Sequence, residues 1–157
     1  MKSAFLTSVC TFEVREIDEP VCPSDGLVLQ VKACGICGSD LRRWKEGPGD
    51  TPVVPGHEIA GVVIGVGKNI SRYAIGDQLA VAPDIHCGNC HYCRQGKFNL
   101  CDSLKLLGIT PGYPGGFSEK VILTSDVLNN GIVHRIPNGM SFSEAALAEP
   151  CSSVMAA

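Results

Sequence analysis

A chain of 157 residues has the length of one ordinary domain and can bury roughly two-thirds of its unfolded surface without disulfide staples. Hydrophobic residues at 45% and charged residues at 18% exclude a disordered segment. With 13 basic and 16 acidic side chains, a net charge of −3 and no Lys/Arg run, a nucleic-acid or anionic-membrane surface is excluded as the main partner.

Met1 to Ser8 carries a single charge and no sustained apolar stretch, unlike a secretory leader. The longest apolar run, Ile59 to Gly67, is about half the ~20 residues that a membrane span requires. The expectation is a soluble, cytoplasmic protein. The 18 glycines and 10 prolines mark many turns and short strands.

From residue 3 to about 34 the pattern is strand, turn, strand. Phe5, Val9, Phe12, Val14 and Ile17 are apolar, and turns fall at Glu19-Pro20 and Pro23-Ser24-Asp25-Gly26. Leu27 to Ala33 predicts a largely buried strand. Ser39 or Asp40 is positioned to cap a short helix reaching Lys45, stopped by Gly47-Pro48-Gly49. Further strands are predicted over Glu58–Val66, Gln78–Ala82, Gly116–Leu123 and Ile132–Ile136, with a turn over Ile70–Asp77. The segment from His86 to Asp102 reads as a loop without regular structure. Ser141 and Glu144 have capping-box spacing, so a helix starts there; Pro150 breaks or restarts it, and Cys151 to Ala157 reads as the first turns of another helix with no stop signal.

Of nine cysteines, Cys87, Cys90, Cys93 and Cys101 fall in one short segment. An odd total without a leader favours metal ligation over disulfide pairing. Two-residue gaps let neighbouring thiolates face one centre, and the loop to Cys101 closes a tetrahedron of soft ligands suited to zinc. Four thiolates leave no open position, so this site is structural. A ferredoxin cluster shares the early spacings, but there the fourth cysteine follows after three residues and precedes Pro; here the next residue is Asp102.

A second constellation is dispersed. Cys37-Gly38-Ser39-Asp40 lies at a strand-to-helix corner, and His57-Glu58 opens a strand after Pro55-Gly56. Cys, His and Glu are each competent zinc ligands, and three protein ligands with one exchangeable position define a catalytic zinc site. The order Cys37-Gly38-Ser39-Asp40, Gly56-His57-Glu58, Gly76-Asp77, the four-cysteine lobe and Glu149-Pro150 resembles the catalytic domain of zinc-dependent medium-chain dehydrogenases, above all the sorbitol and threonine dehydrogenase branch. The resemblance runs over essentially the whole chain. It implies a mainly β fold, a GroES-like irregular β-barrel with a few short helices and a zinc-bound loop lobe.

Carried over residue by residue, the resemblance implies a catalytic zinc held by Cys37 and His57, with Glu58 and Glu149 as further candidate ligands. Glu149 stands where alcohol dehydrogenases of the family usually have Cys, which favours the polyol branch; Cys151 is out of register. Asp40 resembles the carboxylate that orients the ligand histidine, and Ser39 the hydroxyl that binds the substrate oxygen and passes its proton outward. Arg42 stands where many relatives have a relay histidine, and Trp44 is a candidate pocket or core residue. The implied reaction is zinc-assisted hydride transfer from a secondary alcohol or polyol to NAD or NADP.

The glycines from Gly61 to Gly67 lack the G-x-G-x-x-G order of a dinucleotide site, so they read as barrel strand. The expected organisation is a catalytic domain over 1–148, including a structural zinc lobe at 86–102. Residues 149–157 would open the helix into a nucleotide-binding domain outside this sequence. The parent would be a homo-oligomer, and the fragment alone would bind zinc without turnover. A stand-alone zinc-binding or interaction module is the competing reading.

Overall fold

The computed structural model describes residues 1–155. Its elements in chain order are β1 (Lys2–Ser8), β2 (Thr11–Glu16), β3 (Leu27–Gly35), α1 (Gly38–Glu46), β4 (Glu58–Val66), β5 (Gln78–Ile85), α2 (His91–Arg94), β6 (Lys105–Leu106), β7 (Lys120–Leu123), α3 (Ser125–Asn130), β8 (Gly131–Arg135), α4 (Phe142–Ala146) and α5 (Ala148–Met155). A 3₁₀ turn covers Phe98–Leu100. The strands make two antiparallel groups: a β1–β2 hairpin, and a sheet ordered β6-β5-β4-β3-β7 in which β8 also pairs with β5. Isolated bridges from Ser3 to Ser118 and from Leu6 to Val53 tie the hairpin to the segments that precede β7 and β4.

The apolar runs end up where their burial is greatest. Leu27 and Leu29 of β3, Ile59 and Val63 of β4, Leu79 and Val81 of β5, and Val121 and Leu123 of β7 form one core, closed by Val127 and Leu128 of α3. A second cluster seats Ala145 and Ala146 of α4 on Ala60 and Ile136. Small residues there let the helix backbone approach the sheet closely. Gly61, in the middle of β4, has the same role toward its neighbour: a Cβ there would lie 2.3 Å from the Gln30 carbonyl oxygen. The Gly61–Gly67 stretch is therefore strand through Val66, as its glycine order implied.

Several boundaries differ from expectation. The first helix is capped by Cys37, not by Ser39 or Asp40; Asp40 is the third helical residue and accepts the Cys37 N–H at 2.9 Å. β5 runs past Ala82 to Ile85 because a register shift between Ala82 and Ile85 accommodates Pro83, an irregularity of the kind in which a strand tolerates a missing N–H. The segment from 86 to 102 is not wholly irregular, since it holds α2 and the 3₁₀ turn. The strand expected from Gly116 is regular only over Lys120–Leu123. The capping box at Ser141 forms as predicted, with Glu144 accepting the Ser141 N–H at 2.8 Å. Pro150 does not restart a helix: α5 begins at Ala148 and Pro150 sits in its first turn, where no intrahelical donor is lost. The expected continuation over Ala156 and Ala157 lies outside the described residues. α3 was not anticipated, because its six residues are too few to show a helical period.

No helix among the described residues is long and apolar enough to cross a membrane.

Gly115 is the tightest backbone crossing near the site: a Cβ there would meet the Gly56 and Pro55 carbonyl oxygens at 2.2 and 2.5 Å. Neither atom can rotate away. Gly115→Ala is expected to destabilise the fold by about 1–3 kcal/mol, read as a lower urea midpoint with an unchanged slope. Asp77 ties the turn before β5 to β8, accepting from the Ala74 N–H at 2.9 Å and from Arg135 at 2.8 Å. These partners hold its carboxyl below the usual value. A depressed carboxyl contributes stability above its unfolded value of about 3.9, and that contribution is lost as pH falls through the folded value. Asp77→Asn should lower the melting temperature at pH 7, with the difference from wild type closing in acid.

Candidate metal centres

β3 and β4 pair antiparallel with Gly35 opposite Glu58. That register brings Cys37, two residues beyond the end of β3, to His57 and Glu58 at the start of β4. The ligating atoms of Cys37, His57 and Glu58 all lie within 4.8 Å of one another. His57 and Glu58 are buried at 3% and 5% exposure, so two polar groups have been taken out of water at one point, a costly arrangement unless something binds them.

Two glycines shape this corner. Gly56 takes φ +93°, and a Cβ there would lie 2.5 Å from the Phe117 ring and 2.8 Å from Cys34 Sγ; the turn that delivers His57 thus excludes a side chain on both conformational and steric grounds. At Gly35 a Cβ would fall 1.8 Å from Glu58 Oε2. The Glu58 carboxylate occupies the space that the glycine leaves open. Cys34, beside them, has its thiol pushed up to about 12 by burial and is a neutral packing group.

His57 Nδ1 is buried and has no hydrogen-bond partner. Asp40, itself 5% exposed, faces that nitrogen with Oδ1 at 3.8 Å, adjacent but too long for a hydrogen bond. Its other oxygen holds the Cys37 N–H, so one carboxylate both caps α1 and fixes the charge beside the imidazole. Ser39 Oγ lies 3.4 Å from His57 Nε2. Thiol, imidazole and carboxylate converge beside an unpartnered buried ring nitrogen, a donor set that suits zinc.

Glu149 is not within this trio. It projects from the first turn of α5, half-buried, and lines a cavity of about 180 Å³ with Asp84, His134 and Ser152. Burial pushes its carboxyl up, His57 pulls it down, and Glu58, Asp84 and Asp40 push it up further. Asp84 escaped sequence reasoning because the strand was expected to end at Ala82. Trp44 is half-buried and its carbonyl accepts the Cys10 N–H at 2.7 Å.

The second cluster is the loop between β5 and β6. All four thiols, Cys87, Cys90, Cys93 and Cys101, lie within 4.8 Å of one another. Main-chain N–H groups point at the sulfurs: Cys87 to Cys101 at 3.2 Å, Ser103 to Cys101 at 3.4 Å and Cys93 to Cys90 at 3.5 Å. The Cys93 N–H brings Cys90 down to about 6, while burial pushes Cys93 up to about 12. Closely packed thiols cannot all ionise unaided, and a divalent cation supplies the missing charge. The strand pair Asp84–Leu106 and Ile85–Lys105 closes the base of the lobe, and His86 stacks on Phe98 with ring centroids 4.1 Å apart.

The corner and the lobe are thus two separate clusters of metal-competent donors on one mainly β domain. Residues 23–137 match the alcohol dehydrogenase GroES-like domain family, and the chain belongs to that family. It is 34% identical over 157 residues to the sorbitol dehydrogenase of Bacillus subtilis (strain 168), covering 97% of this chain and 43% of that protein. Among solved structures it resembles galactitol-1-phosphate dehydrogenase from Escherichia coli, with TM-score 0.87, 28% identity, and coverage of 99% of this chain and 43% of that one. A protein from Sinorhizobium meliloti 1021 solved with NADP bound gives TM-score 0.84 at 34% identity, covering 98% of this chain and 43% of that one. The chain thus spans less than half the length of these relatives.

Because Glu58 fills the space above Gly35, Gly35→Ala should displace the carboxylate without touching the lobe. The expected result, read by metal analysis after dialysis, is zinc loss from the Cys37 corner only and little change in melting temperature of the metal-free protein.

Proposed function

We propose that this chain is the catalytic, metal-holding domain, over 1–148, of a zinc- and nicotinamide-dependent dehydrogenase that oxidises a secondary alcohol or polyol. Residues 149–157 then begin the helix that leads toward a nucleotide-binding domain. The observation that carries the reading is the convergence of Cys37, His57 and Glu58 at one buried corner, beside a separate four-thiol lobe. Similarity to a sorbitol dehydrogenase and to a galactitol-1-phosphate dehydrogenase supports a polyol-type substrate, and the NADP-bound neighbour supports a nicotinamide cofactor. A small-molecule alcohol is the partner of the site; the parent works as a cytoplasmic homo-oligomer, without nucleic acid or membrane.

Cys37 and His57 would hold the catalytic zinc with Glu58 as third ligand, and Glu149 faces the same corner from α5. Cys87, Cys90, Cys93 and Cys101 would hold the structural zinc. Bound at the first corner, zinc supplies Lewis acidity toward the substrate hydroxyl, and the nicotinamide supplies the hydride acceptor. Ser39 Oγ, next to His57 Nε2, accepts the substrate hydroxyl proton and passes it to solvent along the exposed side of α1. Asp40 keeps Cys37 and His57 in place from behind, through the Cys37 N–H and its position facing Nδ1. Burial of His57 and Glu58 excludes water from the corner and strengthens every charge interaction within it.

Metal analysis of the full-length protein should give two zinc ions per subunit. Cys37→Ser should remove one of them together with about a thousandfold in kcat/KM, since a Lewis-acid metal supplies several kcal/mol to the transition state. Cys101→Ser should remove the other and lower thermal stability. A single zinc insensitive to Cys37→Ser, or no alcohol-dependent reduction of NAD or NADP, would overturn the proposal. The isolated 157-residue chain should bind zinc and show no turnover.

A further inference from the structure

β2 is the least protected strand of the fold. All six of its residues are exposed, Val14 at 71% and Phe12 at 40%, and only one of its edges is paired, to β1. The ladder shows which groups the other edge presents. In β1 the N–H groups of Ala4 and Leu6 turn away from β2, to the Phe117 and Val53 carbonyls at 2.8 Å. Ala4 and Leu6 are therefore the non-hydrogen-bonded positions of the pairing with Val14 and Phe12. The main-chain N–H and C=O of Phe12, Val14 and Glu16 accordingly point outward, and among the described residues none of them has a main-chain partner outside the hairpin.

Proline, a bulge or repelling charges usually block such an edge. β2 has no proline, and the irregularity of the hairpin lies on β1, between Leu6 and Ser8. Its charges are ordered so that the edge complements itself. Glu13 precedes Val14 and Arg15 follows it; the two form an ion pair at 2.8 Å, and Arg15 and Thr7 hold the Glu13 carboxyl below its usual value, so both are charged at neutral pH. Two copies paired antiparallel about a two-fold axis at Val14 set Glu13 opposite Arg15 twice. They also set Val14 opposite Val14, with Phe12 of the second copy on the diagonal. The same axis faces the outward groups of Phe12, Val14 and Glu16 with those of Glu16, Val14 and Phe12. Moving it by one residue opposes Glu13 to Glu13 or Arg15 to Arg15 and meets main-chain groups already turned toward β1.

We propose that β2 is a contact between copies of this chain: a second copy adds its own β2 antiparallel across the Val14 axis, extending the hairpin into a four-stranded sheet ordered β1-β2-β2-β1. The occupant is a second copy because the edge matches its own sequence in register, charge and main-chain groups at once. This reading rests on the homo-oligomer proposed above and gives it one of its contacts, in which no zinc-competent residue takes part. Six residues a side make a small contact beside the roughly 1,200–2,000 Å² of a stable interface. Association through β2 alone is therefore concentration-dependent.

The test uses the full-length protein over a concentration series in the analytical ultracentrifuge. Val14→Pro removes the central outward N–H, which β1 does not use, so the hairpin remains. It should halve the limiting mass, whatever other contacts the subunit makes, with zinc content unchanged. Arg15→Glu should weaken association about tenfold, and the double variant Glu13→Arg/Arg15→Glu, which restores opposite charges across the axis, should recover most of it. Cross-linking reads the register. Directly opposed Cα atoms of such a pair lie about 5.5 Å apart, within disulfide reach, so Val14→Cys should give an oxidant-dependent covalent dimer that wild type and Phe12→Cys do not. A mass unmoved by Val14→Pro overturns the proposal, whether the edge is then free or covered by a downstream segment of the same chain. So does a Val14→Cys protein that forms no more covalent dimer than Phe12→Cys. An oligomer whose mass Val14→Pro leaves unmoved removes this contact alone, whereas a monomer at every concentration removes the homo-oligomer with it; the dehydrogenase reading rests on zinc and turnover and survives both.

Discussion

The arrangement of the molecule depends on one register, the antiparallel pairing of β3 with β4 that sets Gly35 opposite Glu58. Because Gly35 has no side chain, the Glu58 carboxylate can lie over the strand. Because the strands are antiparallel, the end of one and the start of the other share a corner, and Cys37 meets His57 there across a long sequence interval. The sheet core of Leu29, Ile59 and Val63 holds that register, since slipping it by one residue would turn every buried side chain to the wrong face. Packing energy, not the polar groups, keeps the polar groups together.

The two metal-donor clusters are built on different physics. At the sheet corner, thiol, imidazole and carboxylate come from rigid elements, and Asp40 ties helix capping to the charge beside His57. In the lobe, all four donors come from a short loop with one turn of α2 and one 3₁₀ turn. Its sulfurs are surrounded by main-chain N–H groups, and Cys90 and Cys93 are driven in opposite directions, one by an N–H donor and the other by burial. Little apolar burial anchors such a loop, so its folding is coupled to whatever neutralises its thiolates. The corner is pre-formed by the sheet.

The α1 face extends the first site. A helix started by Cys37 and Asp40 necessarily presents Ser39, Arg42, Arg43 and Glu46 along one side. The cap, the hydroxyl beside His57 and two guanidinium groups therefore share one helix of nine residues, and a change in its N-terminal geometry would be felt in all three.

Much of this was legible in the sequence. Local spacing carries chemistry wherever ligands are close in the chain, so the Cys87, Cys90, Cys93, Cys101 quartet could be read directly, as could the Ser141 capping box and the run of β4. The motif order also pointed to Cys37, His57, Glu58, Ser39 and Asp40 through family resemblance. Tertiary structure alone decided that Cys37 is the helix cap, that Glu58 joins Cys37 and His57 while Glu149 stands outside the trio on α5, and that β5 continues through Pro83 to place Asp84 beside it. It also decided that Arg42 and Arg43 share a cavity with Ser39. The division has a physical reason: spacing along the chain determines which neighbours can meet within a turn or loop, whereas strand register, bulges and helix seating depend on the packing of residues far apart in sequence.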